Sequence, residues 1–133
     1  MDWFPVVGRP CCDLRRLGLR GGDRRVKRGD IYFAARGAYT GKPRPVVIVQ
    51  DDRFDSTASV TVCPLTTDPV EAPLIRIPIG PTAGTGIQQA RRIMVDKVTT
   101  IPRVNMRNHL GRLADVDLVR LDRALLVFLG LAG

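Results

Sequence analysis

Between Asp30 and Leu113 the chain never runs far before something stops it. Short apolar, β-branched stretches alternate with clusters of glycine, proline, aspartate and threonine. That rhythm limits the fold to short strands joined by tight turns. Strands are expected at residues 31–34, 45–50, 60–65, 74–79 and 93–98, with a short last one at 110–113. The run 45–50 is apolar on both faces and reads as central in a sheet. Pro64 removes a ladder donor from the third run, which places that strand at an edge or a bulge. In the fourth run Ile75, Ile77 and Ile79 share one face, opposite Leu74, Arg76 and Pro78. Pro102 stops the fifth run, and residues 103–108 read as one helical turn.

Helical period appears only at the end. Leu118, Leu121, Leu125, Phe128 and Leu129 follow the i, i+3/i+4 rule and form one apolar face. Asp115 is the expected N-cap, Asp117 joins it where the helix dipole favours anions, and Gly130 is a natural stop. Five or six short strands followed by one helix point to a mainly β, strongly curved small barrel with the helix packed on it. Residues 125–129 are apolar all round, more than one core contact can use, so a dimer contact is the natural alternative.

The chain has 133 residues, 21 of them Lys or Arg and 13 Asp or Glu, for a net charge of +8. Eight basic and three acidic side chains fall within residues 1–29, so five of the eight net charges lie there. Residues 1–25 have no sustained period and no signal-peptide pattern. They read as a basic, disordered extension or as a mis-assigned start, with Val26 opening the folded domain at 26–133. No apolar run approaches the roughly 20 residues of a membrane span, and a cytoplasmic location is expected. Three cysteines, an odd number, make no disulfide framework. The single histidine, His109, excludes any mechanism needing a histidine pair.

Several apparent motifs fail. Gly37 to Lys42 resembles a phosphate loop but is one residue short between its glycines and lacks the following Ser/Thr. Cys11-Cys12 has no histidine beside it for zinc. Cys63 reads as a buried small hydrophobe, His109 as structural, and Arg91-Arg92 as a solvated loop end, with RNA contact the alternative. What remains is Arg44, held extended between Pro43 and Pro45, and Thr66 and Thr67 after Cys63-Pro64-Leu65. An arginine fork and a hydroxyl beside a basic, glycine-rich loop can hold a phosphodiester and stabilise charge on it.

The body also resembles a known family. Lys27-Arg28-Gly29-Asp30-Ile31-Tyr32-Phe33-Ala34, Lys42-Pro43-Arg44-Pro45 with the apolar strand after it, Val60-Thr61-Val62-Cys63-Pro64-Leu65-Thr66-Thr67, Val95-Asp96-Lys97-Val98-Thr99-Thr100-Ile101-Pro102, Gly111-Arg112-Leu113 and the helix ending Leu129-Gly130-Leu131 follow one another in order. The series, over about residues 26–132, is similar to the MazF/PemK-like toxin endoribonucleases of type II toxin–antitoxin pairs. The resemblance implies an SH3-like barrel of the MazF/PemK/CcdB type, a homodimer, and metal-independent, cofactor-free cleavage of single-stranded RNA (mRNA) at short sequences. It puts the catalytic arginine on Arg44 and the catalytic threonine on Thr66. The ribose 2′-hydroxyl would attack the adjacent phosphate to leave 2′,3′-cyclic phosphate and 5′-hydroxyl ends.

It also implies a MazE/PemI-like antitoxin whose acidic or apolar C-terminal segment covers Arg44 and the first loop, with operator DNA reached only through that complex. Many members carry a glutamate in that loop, whereas residues 36–44 here hold no acid. The loop offers Arg36, Tyr39 and Lys42 instead, cations that track phosphates and an aromatic face that stacks on a base. Thr67 is expected as a further phosphate contact, with a turn-forming role the alternative. The alternative from another class is a non-catalytic nucleic-acid-binding or topoisomerase-poisoning barrel of the same fold. The determinants of such poisons lie at the extreme C-terminus, and residues 129–133 hold no tryptophan.

Overall fold

The computed structural model describes residues 26–35 and 43–132. Among these residues seven strands and one helix follow in chain order: β1 Asp30–Ala34, β2 Arg44–Ile48, β3 Ser59–Thr66, β4 Arg76–Ile79, β5 Arg91–Met94, β6 Thr99–Pro102, β7 Met106–Arg112 and α1 Asp115–Phe128. They form one sheet in the order β4-β5-β3-β2-β1-β7, with β6 also pairing β3. Every pairing is antiparallel. The sheet is strongly curved and stays open between β4 and β7. No helix among the described residues is long and apolar enough to cross a membrane.

Both faces of the central strands are buried, as the run 45–50 implied. Alternation sends Ile31, Val47, Cys63 and Leu65 into a core shared with Ile77, Ile93, Val95 and Leu121. It sends Tyr32, Val46, Ile48 and Val62 into a second cluster with Val26, Val60 and Met106. The curvature of the sheet lets one layer of strands enclose a cluster on each face.

Four expectations are corrected. Strand β3 is neither an edge nor bulged: it pairs β2 on one side and β6 and then β5 on the other. Pro64 lies between Val62, the last residue paired to β6, and Leu65, the first paired to β5. Its missing N–H thus falls where the strand changes partner. The run 93–98 is not one strand. Strand β5 starts two residues earlier, and Val95–Lys97 is a 3-10 turn before β6. That turn is pinned by Val95 N–H donating to the Ile75 carbonyl (3.0 Å) and by the Arg76–Asp96 ion pair. Strand β7 begins at Met106, because Arg107, Asn108 and His109 form an exposed edge whose polar outer residues hide its period. The helical turn before it is only Arg103–Asn105.

The fourth correction concerns the helix. Ala114 is the N-cap and Asp115 the first helical residue, with no side-chain cap; Asp115 and Asp117 remain in the first turn. Leu121 is fully buried, and Leu118, Ala124 and Leu125 pack beside it. Phe128 and Leu129 are 43% and 55% exposed, so the core contact ends a turn before the apolar face does. Gly130 closes the helix at φ +77°, with its N–H bonded to the Val127 carbonyl and that of Leu131 to the Leu126 carbonyl. This is a Schellman stop that a left-handed glycine permits.

Candidate functional site

The site grows from the pairing of β2 with β3. Val46 lies opposite Pro64, the last pair of β2 with β3, and by the two-residue alternation Arg44 and Thr66 lie on the same face as that pair, one step beyond it. Residues so placed share one face of the sheet. The first residue of β2 and the last of β3 thus meet at one sheet end, where a cleft of about 310 Å³ opens. Phe33, Pro43, Arg44, Pro45, Leu65, Thr66, Thr67, Asp68 and Arg91 line it.

Arg44 is exposed and has no ion pair among the described residues. Pro43 and Pro45 fix its backbone, so little backbone entropy is lost when its guanidinium engages a ligand. The Thr66 hydroxyl accepts from the Asp68 N–H at 3.1 Å, which leaves its own proton to donate elsewhere. Arg92 holds the segment after β3: it donates to the Asp68 carbonyl at 3.4 Å and to Glu71 Oε1 at 3.1 Å.

Arg91-Arg92 is therefore not a solvated loop end. Both arginines are half-buried in β5, opposite Ile79 and Pro78 of β4, and Arg91 reaches the cleft. Its Nε is buried with no hydrogen-bond partner among the described residues. Burial first, and then the charge of Arg44, hold its pKa below the usual arginine value. No local signal marks Arg91: its place follows from the pairing of β5 with the strand that carries Thr66. Asp68, which carries no local sequence signal, is the one carboxylate lining the cleft among the described residues.

The structure thus brings together Arg44, Thr66 and Thr67. Arg36, Tyr39 and Lys42 lie outside the described residues, although Pro43, the residue that follows them, lines the cleft. Cys63 is buried, and burial pushes its thiol up to about 12, the state of an inert core residue. His109 lies within β7 rather than at its start. Its ring sits 5.0 Å from that of Tyr32, edge to face, with Nε2 3.8 Å from Asp30. Both were expected to be structural. The cleft offers guanidinium donors and hydroxyls, a set suited to a phosphodiester whose charge changes during reaction.

Comparison with known proteins agrees with this chemistry. Residues 27–129 match the family described as PemK-like, MazF-like toxin of type II toxin-antitoxin system. The chain is 64% identical over 109 residues to a Mycolicibacterium smegmatis protein named "Probable endoribonuclease MazF", covering 81% of this chain and 100% of that one. It is 28% identical over 116 residues to a Mycobacterium tuberculosis protein named "Endoribonuclease MazF9", covering 80% and 98%. Among solved structures, an endoribonuclease in complex with its cognate antitoxin from a mycobacterial species superposes with a TM-score of 0.68. It is 24% identical and covers 81% of this chain and 98% of that one, a likeness of fold.

Proposed function

The chain belongs to the PemK-like, MazF-like toxin family of type II toxin–antitoxin systems, and from that premise we propose that it is a toxin endoribonuclease whose catalytic pair is Arg44 and Thr66. The juxtaposition of these two side chains across β2 and β3, in one cleft, carries the assignment. The substrate is single-stranded RNA. The ribose 2′-oxygen attacks the adjacent phosphorus, the bond to the 5′-oxygen breaks, and the products are a 2′,3′-cyclic phosphate and a 5′-hydroxyl. The proton of the 2′-hydroxyl leaves to a base, and the departing 5′-oxygen gains one. Arg44 neutralises the charge that builds on the non-bridging oxygens, an interaction stronger in the transition state than in the ground state. Thr66 donates to the same phosphate and orients it. Thr67, with Arg36, Tyr39 and Lys42, holds the flanking nucleotides.

The partners follow from the same reading. The exposed end of α1, with Leu126, Val127, Phe128 and Leu129 between 43% and 55% exposed, supports a homodimer. An antitoxin with an acidic or apolar terminal segment would cover Arg44 and inhibit cleavage. Electrostatics favour such a segment on a body that is itself net positive, with 13 basic and 10 acidic side chains in residues 30–133.

The full chain is tested on a mixed-sequence single-stranded RNA pool in EDTA, beside Arg44→Ala. Cleavage at a short motif, lost in the variant, is expected. Cleavage by Arg44→Ala at the wild-type rate would remove Arg44 from the centre. An intact RNA pool with folded wild-type protein would remove the activity itself.

A further inference from the structure

The two neighbouring arginines of β5 are used in opposite ways. Arg92 is spent inside the protein, on Glu71 and the Asp68 carbonyl. Arg91 makes no ion pair among the described residues, and its Nε is enclosed without an acceptor. It lines the same cleft as Arg44, close enough for Arg44's charge to act on it in the direction burial already does. Two like charges in a partly desolvated site raise each other's energy, and an anion between them relieves it. Asp68, the only carboxylate in the lining among the described residues, is exposed and within ion-pair distance of neither. Among the described residues the cleft therefore lacks an internal anion that would satisfy both guanidiniums.

From this arrangement we infer that Arg91 is a second phosphate-binding arginine, acting with Arg44 as a two-guanidinium clamp on the RNA backbone. Arg44 takes the phosphate that reacts, and Arg91 takes a neighbouring one, so Arg91 sets the register of the strand in the cleft. Phosphate contacts fix register and orientation without reading the bases. The inference rests on the assignment of single-stranded RNA as substrate.

The test uses the full chain and a short single-stranded RNA spanning the mapped cleavage site, with a 2′-deoxyribose there to prevent reaction. Binding is measured over a series of salt concentrations for wild type, Arg91→Gln, Arg91→Ala and Arg91→Lys. One phosphate contact on single-stranded nucleic acid contributes about 0.7 to the slope of log affinity against log salt. Arg91→Gln and Arg91→Ala are expected to lower the slope by about that amount and to weaken binding roughly tenfold. Arg91→Lys is expected to restore the slope and only part of the affinity, because an ammonium lacks the fork. On the cleavable RNA the loss is expected chiefly in KM. A purely structural arginine would not move the salt slope, and Arg91→Gln keeps the side chain's bulk if Arg91→Ala does not fold. An unchanged slope and KM in Arg91→Gln would overturn the inference while leaving the wild-type activity standing. Failure of the wild type to cleave any RNA would instead overturn the substrate assignment on which it rests.

Discussion

Arg103 and Arg91 are both arginines taken partly out of water, and the protein treats them differently. Arg103 is 7% exposed. Its Nε donates to the Thr57 carbonyl at 2.7 Å and its Nη2 to the Asp55 carbonyl at 2.6 Å, while its own N–H bonds to the Ala58 carbonyl at 2.8 Å. It fastens the link between β2 and β3 to the turn before β7. Burial lowers its pKa, and Asp55 and Tyr32 pull it back up. Burial also lowers that of Arg91, but there the neighbouring charge is Arg44, which pushes the same way. A cation that holds a fold together is surrounded by acceptors supplied by the fold. In the cleft no acceptor for the Arg91 Nε stands among the described residues, and on the proposed reading the incoming phosphates would supply acceptors for the guanidiniums. Burial alone therefore does not separate structural from functional arginines; the sign of the neighbours does.

The strongest way to break this contrast is at Arg44. Arg44→Ala is expected to slow cleavage by about a thousandfold, which is ~4 kcal/mol of transition-state stabilisation, with little change in melting temperature. A comparable loss of both stability and activity would mean that Arg44 is a structural cation after all. Arg103→Ala should do the reverse. It leaves the Thr57 and Asp55 carbonyls, both on partly buried residues, without this donor and empties a buried side-chain site, and is expected to cost roughly 3 kcal/mol in a denaturant titration. Cleavage per folded molecule should stay at the wild-type level.

Thr66→Val sits between the two. It removes the proposed donor to phosphate and the acceptor for the Asp68 N–H, and is expected to slow cleavage on the order of thirtyfold, about 2 kcal/mol. A rate within twofold of wild type would assign the hydroxyl to the turn alone. The smallest effect sits in the closed core. The Cys63 thiol is raised from 9.0 to about 12, so the fold favours its neutral form. That stabilisation is complete below pH 9 and is lost as pH rises from there towards 12. At pH 10 wild type should be about 1 kcal/mol more destabilised, relative to pH 8, than Cys63→Ala. Parallel pH profiles for the two proteins would refute it.

Much of this was legible in the sequence, and the gaps have physical reasons. Arg44 stands out because prolines on both sides fix its backbone, and Thr66 because it ends a run that stops at Pro64-Leu65. Both are local signals. Arg91 has none: its meaning comes from the Leu65–Ile93 and Thr66–Arg92 pairings, which join residues far apart in the chain. Strand β7 was half hidden because an edge strand carries polar residues outward, and Arg107, Asn108 and His109 obscure the alternation. Pro64 misled because its cost depends on which neighbour it faces, and β3 changes neighbours there. The apolar face of α1 reads a turn too long because hydrophobic spacing records which residues avoid water, not what covers them. Phe128 and Leu129 are apolar and exposed in this chain alone.

The most direct measurement is the chemistry of the new RNA ends. Cleavage is run in ¹⁸O-labelled water with EDTA, and the initial fragments are weighed by mass spectrometry. Intramolecular attack by the 2′-hydroxyl at the Arg44–Thr66 cleft predicts fragments ending in a 2′,3′-cyclic phosphate that carries no solvent oxygen, each matched by a fragment with a 5′-hydroxyl. Fragments with a 5′-phosphate and a 3′-hydroxyl, the phosphate labelled from water, would show that water is the nucleophile and would contradict the roles assigned to both residues.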